Sequence, residues 1–200
     1  MPTGVLFRLY PLFGTSPLLA IVHFFIDLTL LRRAPQDLPA SQVLLGLVIL
    51  IALGGSLLLS GSAGVGLGLG LLQSVLDLTM MLGALYLALN WLKRAPRFLQ
   101  TGTALVGADT LIGLLALLPL GLVGATAEDS SAFALGALLF LGLVVWSVLV
   151  AGHILRHALG VSLLQGAGIA IGYKLLALML IGAITGVGTG TGADAGTGVG

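Results

Sequence analysis

Asp77, Asp109 and Lys174 lie deep in long apolar runs of this 200-residue chain. An ionised side chain at such depth is costly, and is normally paired, turned into a helix bundle, or put to work. Two carboxylates and one ammonium at similar depth leave one carboxylate short of a counter-charge, which suits a shared or titrating proton. The triad therefore reads in two ways: as a proton or cation relay, or as a buried ion-pair network that fixes helix register. Counted inward from the nearest basic turns at about 1.5 Å per residue, Asp77 lies about 21 Å deep, Lys174 about 20 Å and Asp109 about 15 Å. On those depths Asp77 and Lys174 are the pair expected to touch.

A second polar group gathers around the histidines. His153 and His157 stand four residues apart with Arg156 beside the second, and His23 and Asp27 repeat the spacing. Residues at i and i+4 share one helix face, where two rings can hold a metal. Zinc chemistry asks in addition for a third ligand and a general base. No Glu follows His153, and the absence of Cys excludes thiolate ligands, disulfides and a cysteine nucleophile. We read His23, Asp27, His153, Arg156 and His157 as a polar cluster at the cytoplasmic face, hydrogen-bonded to backbone or lipid, with no metal and no cofactor.

Arg33, Arg94 and Arg97 form a third group. Each basic side chain near an anionic leaflet contributes about 1 kcal/mol of attraction. The three either hold an anionic phospholipid headgroup or serve only to set topology. No phosphate-binding loop, nucleophile elbow or hydrolase-type carboxylate pair is present, so the chain is not expected to be an enzyme. Nothing in it implies a nucleic-acid partner.

The elements that carry these residues follow from composition. The chain is 58% hydrophobic and 8% charged, with a mean hydropathy of +1.18. A soluble domain carries roughly a quarter charged residues, so lipid must be the main solvent, and lipid admits only helices or closed barrels. The runs are continuous rather than alternating, which selects helices. The expected fold is an all-α, polytopic transmembrane helical bundle forming one membrane domain over residues 1–185. Five spans of about 20 residues fall at 42–60, 66–92, 99–123, 133–155 and 161–184. Residues 186–200, alternating Gly with Thr, Ala and Val, should form a flexible external tail. The run 18–31 reaches only about 21 Å. It is expected to be a short N-terminal interfacial helix, lying at the cytoplasmic surface or dipping into it; the alternative is a sixth span extended back to Leu9 and kinked at Pro17. No cleavable signal peptide is evident.

Orientation comes from the basic residues. Arg32 and Arg33, then Lys93, Arg94 and Arg97, then Arg156 fall in alternate connections, while an intervening one carries Glu128 and Asp129. Cytoplasmic loops collect Lys and Arg, so the basic turns should face the cytoplasm and the C-terminus should lie outside. Trp91 ends a span at a basic turn, where a belt aromatic belongs. Gly64/Gly68, Gly66/Gly70, Gly168/Gly172 and Gly182/Gly186 have the spacing that lets helices approach closely, within the bundle or against another subunit.

The strings Pro35-Gln36-Asp37-Leu38-Pro39-Ala40-Ser41 and Gly152-His153-Ile154-Leu155-Arg156-His157-Ala158-Leu159 resemble small bacterial inner-membrane proteins that are loosely grouped with the five-helix Yip family. The resemblance runs from about Leu18 to Ile184. It implies a short amphipathic N-terminal helix, five spans, an external C-terminus and a location in the bacterial inner membrane. It also implies an adaptor or accessory role among other membrane subunits. Two functions remain open at this point: a non-catalytic accessory or scaffold subunit, or a small proton-coupled carrier built on Asp77, Asp109 and Lys174.

Overall fold

Most of the long helices start where a serine offers the first free N–H groups a partner. Ser41 Oγ accepts from Leu44 N at 3.2 Å and Ser130 Oγ from Phe133 N at 3.1 Å. Ser162 exchanges reciprocal bonds with Gln165, at 3.2 and 3.0 Å, the capping-box arrangement. In the computed structural model, which describes residues 17–128 and 130–186, the described chain contains α1 (Pro17–Thr29), α2 (Gln42–Ser62), α3 (Leu67–Trp91), α4 (Phe98–Ala125), α5 (Ser131–Leu159) and α6 (Leu163–Thr185). Single turns of 3₁₀ helix, Pro35–Asp37 and Ala95–Arg97, sit in two of the connections. No strand occurs among the described residues. The expected tail lies almost wholly outside them, as does Asp129.

Five of these helices, α2 to α6, are long and apolar enough to cross a membrane. Their outer faces support that reading. Leu118 is 72% exposed and Leu178 71%, a distribution that makes sense when the surrounding solvent is lipid. The spans lie where the sequence put them, with one correction. The proposed basic turn 156–160 is instead helix: α5 runs on to Leu159 and stops at Gly160, whose φ of 70° is left-handed. Arg156 and His157 occupy its last turn, where positive charge complements the carbonyl end of the helix dipole. A Gly in the left-handed cap is the commonest helix stop.

The hub is α4. It packs against α1, α2, α3 and α5, and residues 101–108 are buried without a break. A helix apolar on every side can be buried on every side. Thr103, fully enclosed, satisfies its hydroxyl by donating to Leu99 O at 2.7 Å. The best-packed core, with Leu28, Leu89, Val106, Val150 and Ile154, lies in the half of the bundle nearest the basic connections.

Close approach depends on glycines other than those singled out by spacing. A Cβ at Gly152 would sit 2.7 Å from Ala167 N, and one at Gly166 would fall on the carbonyl oxygen of Gly152. These two residues let α5 and α6 cross backbone to backbone. Of the glycines in the GxxxG pairs, Gly70 is in close contact, against Ser60, whereas Gly64, Gly66, Gly68, Gly168, Gly172 and Gly186 have open space where a side chain would go. Spacing reveals which glycines share a face, not which face meets a neighbour.

Helix α1 does not lie across the end of the bundle. The Phe25 ring occupies the place of a side chain at Gly107, nine residues into α4 from Phe98 and therefore about 14 Å along it. This packing fits a helix that dips alongside the bundle. Gly107→Ala should accordingly overpack the contact and destabilise by about 1–3 kcal/mol. In a Phe25→Ala background the same change should cost little, by thermal unfolding in detergent. Equal losses in both backgrounds would mean that α1 does not dock there.

Candidate functional site

Tyr173 and Lys174 are neighbours on α6, and neighbouring helical residues point about 100° apart. They therefore address different helices. The Tyr173 hydroxyl donates to Asp77 on α3, 2.8 Å from Oδ1 and 3.0 Å from the backbone oxygen. Lys174 Nζ reaches Asp109 Oδ1 on α4 at 3.1 Å. The expected direct pairing of Asp77 with Lys174 is thus replaced by two parallel contacts. Rotation of α6, not depth alone, decides the partners. Asp109 lies 11 residues beyond Phe98 and Lys174 lies 11 beyond Leu163, so both sit about 17 Å from their helix starts. Asp77, 14 residues from Trp91, lies about 21 Å from its helix end and Tyr173, ten beyond Leu163, about 15 Å along α6, so the direction of the side chain outweighs depth in choosing the partner.

All three charges survive as one site, but not as groups packed in a core. Lys174 and Asp109 keep 40% and 53% of their side-chain surface open, because the site borders a cavity of about 350 Å³. Its walls come from α3, α4, α5 and α6 and are mostly apolar, including Met81, Leu105, Ile112, Val150 and Ile154. The polar lining is Asp77, Asp109, Ser147, Tyr173 and Lys174. A smaller cavity of about 120 Å³ lies between α2, α3 and α4, lined in part by Ser56, Ser74 and Thr110. Asp77 and Asp109 border both. On α3 the larger cavity extends to Ala88 and the smaller one to Ser74, whereas on α6 the larger one also runs to Ile181 and on α4 the two lie at the same depth.

Tyr173 was not singled out from sequence. The signal was available: aromatics with a polar tip favour membrane interfaces, and a tyrosine ten residues into a span is out of place unless it has a partner.

The polar cluster expected around the histidines forms in part. Arg33 Nε pairs with Asp27 at 3.3 Å, and the Arg33 guanidinium lies 5.5 Å from the Phe24 ring centre. The same residue's carbonyl accepts from His153 Nε2 at 3.0 Å. His157 Nδ1 bonds to His153 O at 2.8 Å, with the two rings 4.5 Å apart. Arg156 is exposed beside them. His23 stays out, bonded through Nδ1 to Leu19 O of its own helix. Each ring of the His153–His157 pair spends one nitrogen on a carbonyl. No group of three His, Asp or Glu comes together around a metal-sized space among the described residues.

The three arginines assigned to a lipid headgroup have other partners. Arg33 is held by Asp27, as above. Arg94 donates to Ala158 O at 3.3 Å and Arg97 to His157 O at 3.1 Å, so both cover the terminal carbonyls of α5, which have no partner in the helix itself. Gln36 adds a bond to His157 O at 3.3 Å, and Gln100 ties Leu38 O to α4 at 2.7 Å. The result is a polar knot that joins the first two basic connections to the end of α5. Sequence spacing could not show it, since its acceptors are backbone carbonyls. No family model, no curated protein and no solved structure matches this chain.

Proposed function

We propose that this chain is a non-enzymatic, multi-pass protein of the bacterial inner membrane that exchanges protons for a monovalent cation. The observation that carries this reading is that Asp77 and Asp109 form a wall common to two cavities, one between α3, α4, α5 and α6 and the other between α2, α3 and α4. A carboxylate that borders two cavities can release its proton into one and take up a cation from the other. Lys174 neutralises one of the two acids and leaves the second for this work. Liposomes holding the purified protein with an acidic interior should accumulate rubidium-86 or carbon-14 tetraethylammonium at least tenfold faster than empty ones. Asp77→Asn should return the rate to background. Wild-type protein that moves neither ion faster than empty liposomes would overturn the reading.

In this reading the basic connections face the cytoplasm, α1 dips in from that side, and the C-terminus is external. The clustering of Lys and Arg in alternate connections supports it, as does the resemblance to Yip-like inner-membrane proteins. The chain has no Cys, so single cysteines report cleanly. Introduced at the exposed positions Ala63 and Ala127, they should react with an impermeant thiol reagent in intact cells, while one at Ala40 should be spared. Labelling at Ala40 alone would reverse the orientation.

A second reading keeps the protein as an accessory subunit of a larger membrane assembly. It is favoured by Gly168 and Gly172, which lie on the outer face of α6, where an added Cβ would meet no other side chain or helix within 4 Å. Mild extraction would then recover it with partners in fixed ratio.

A further inference from the structure

We propose that the larger cavity binds a hydrophobic organic ammonium ion, with Asp77 as its counter-charge. Tyr173 is the one hydrogen-bond donor to the Asp77 carboxylate among the described residues, and it is neutral. The lysine that could have balanced Asp77 is committed to Asp109. Asp77, Asp109 and Lys174 together therefore leave the cavity one positive charge short, and the shortfall sits on Asp77. Around that charge the walls are aliphatic: Met81, Leu105, Ile112, Val150 and Ile154. A bare inorganic cation would lose its hydration shell against such walls and find few oxygens in return. An ammonium ion clothed in carbon gives up little hydration, and its body buries apolar area against them. The cavity's volume of about 350 Å³ is at the small end for ligand sites, which run from about 300 to 1,000 Å³. The ligand is accordingly small.

The occupant carries one positive charge, because one carboxylate is unbalanced. When the cation arrives at a protonated Asp77, the O–H bond of the carboxyl breaks and the proton leaves to water. The carboxylate so formed is the ion partner of the ammonium. One proton is exchanged for one cation, with no net charge moved. The titratable or charged groups facing Asp77 are Asp109 from α4, and Tyr173 and Lys174 from α6; α2 and α5 present none to either cavity. The substrate class rests on the exchange reading for its physiological sense, whereas binding itself does not require transport.

The test is equilibrium dialysis of carbon-14 benzyltrimethylammonium against the full-length protein in detergent, with neopentylbenzene, its uncharged isostere, as competitor. The expected result is one cation bound per chain. Affinity should fall at least tenfold in Asp77→Asn and should be unmoved by a hundredfold excess of rubidium. Ala84→Leu, which fills space at the cavity wall without touching a charge, should also weaken binding at least tenfold while the thermal midpoint stays within a few degrees of wild type. The inference falls if neopentylbenzene displaces the cation as well as unlabelled cation does, since the cavity is then an apolar slot suited to a lipid chain. It falls equally if binding survives both substitutions. Rubidium transport without benzyltrimethylammonium binding would remove the substrate class and leave the exchange function. Binding without any transport would do the reverse.

Discussion

Lys174→Met should be among the most damaging single substitutions in the molecule. It strips Asp109 of its ion partner about 17 Å along α4, and a lone carboxylate at membrane depth costs about 2.5–3.5 kcal/mol on insertion scales. Asp109 borders a cavity and keeps half its side-chain surface open, so the cost should lie at or below the lower end of that range. Asp109→Asn in the same chain should recover most of the loss, because a pair removed together leaves no charge stranded. Asp77→Asn should not, because the partner of Asp77 is Tyr173. Unfolding of the three single and two double variants in mixed micelles separates the pairings: coupling between 174 and 109, additivity between 174 and 77. Coupling of Lys174 to Asp77 instead would reassign the pair and remove the structural ground for an unbalanced Asp77.

Gly166→Ala and Gly152→Ala should each destabilise the protein by about 1–3 kcal/mol, and by more with larger residues. The added carbon meets backbone in both cases, the carbonyl of Gly152 or the amide of Ala167. Backbone has no rotamer through which to yield, so α5 and α6 must separate. The separation would also disturb the wall formed by Val150, Ala170 and Tyr173, and cation binding should weaken along with stability. Gly168→Ala and Gly172→Ala lie on the same helix with open space at the new carbon. These changes should be neutral in the isolated protein, or slightly stabilising, since Ala restricts the unfolded chain more than Gly does. A thermal melt of all four settles the comparison. Equal behaviour of the two groups would mean that the α5–α6 crossing is looser than described. A loss at Gly168 or Gly172 confined to native membranes would instead point to a neighbouring subunit on that face.

The class of molecule, the number of membrane-length helices and their bounds to within a few residues are legible in the order of the residues alone. Those properties depend on how much apolar length the chain offers and where Pro, Gly and charge interrupt it, and both are linear quantities. That order also singled out Asp77, Asp109 and Lys174, because a charge within an apolar run is visible without a fold. Azimuth was not visible. Depth along a helix follows from counting, but the direction a side chain points relative to its neighbours depends on how the helices are rotated and which of them touch. Hence Lys174 was matched to Asp77 when it meets Asp109, Tyr173 was passed over, and the GxxxG spacings were preferred to Gly152 and Gly166. Likewise, Arg94 and Arg97 read as lipid-headgroup or topology-setting charges, and their bonds to the terminal carbonyls of α5 are visible only in the fold. Only the tertiary structure turned three charges in a row of letters into one site, because the cavity between α3, α4, α5 and α6 exists on no helix alone.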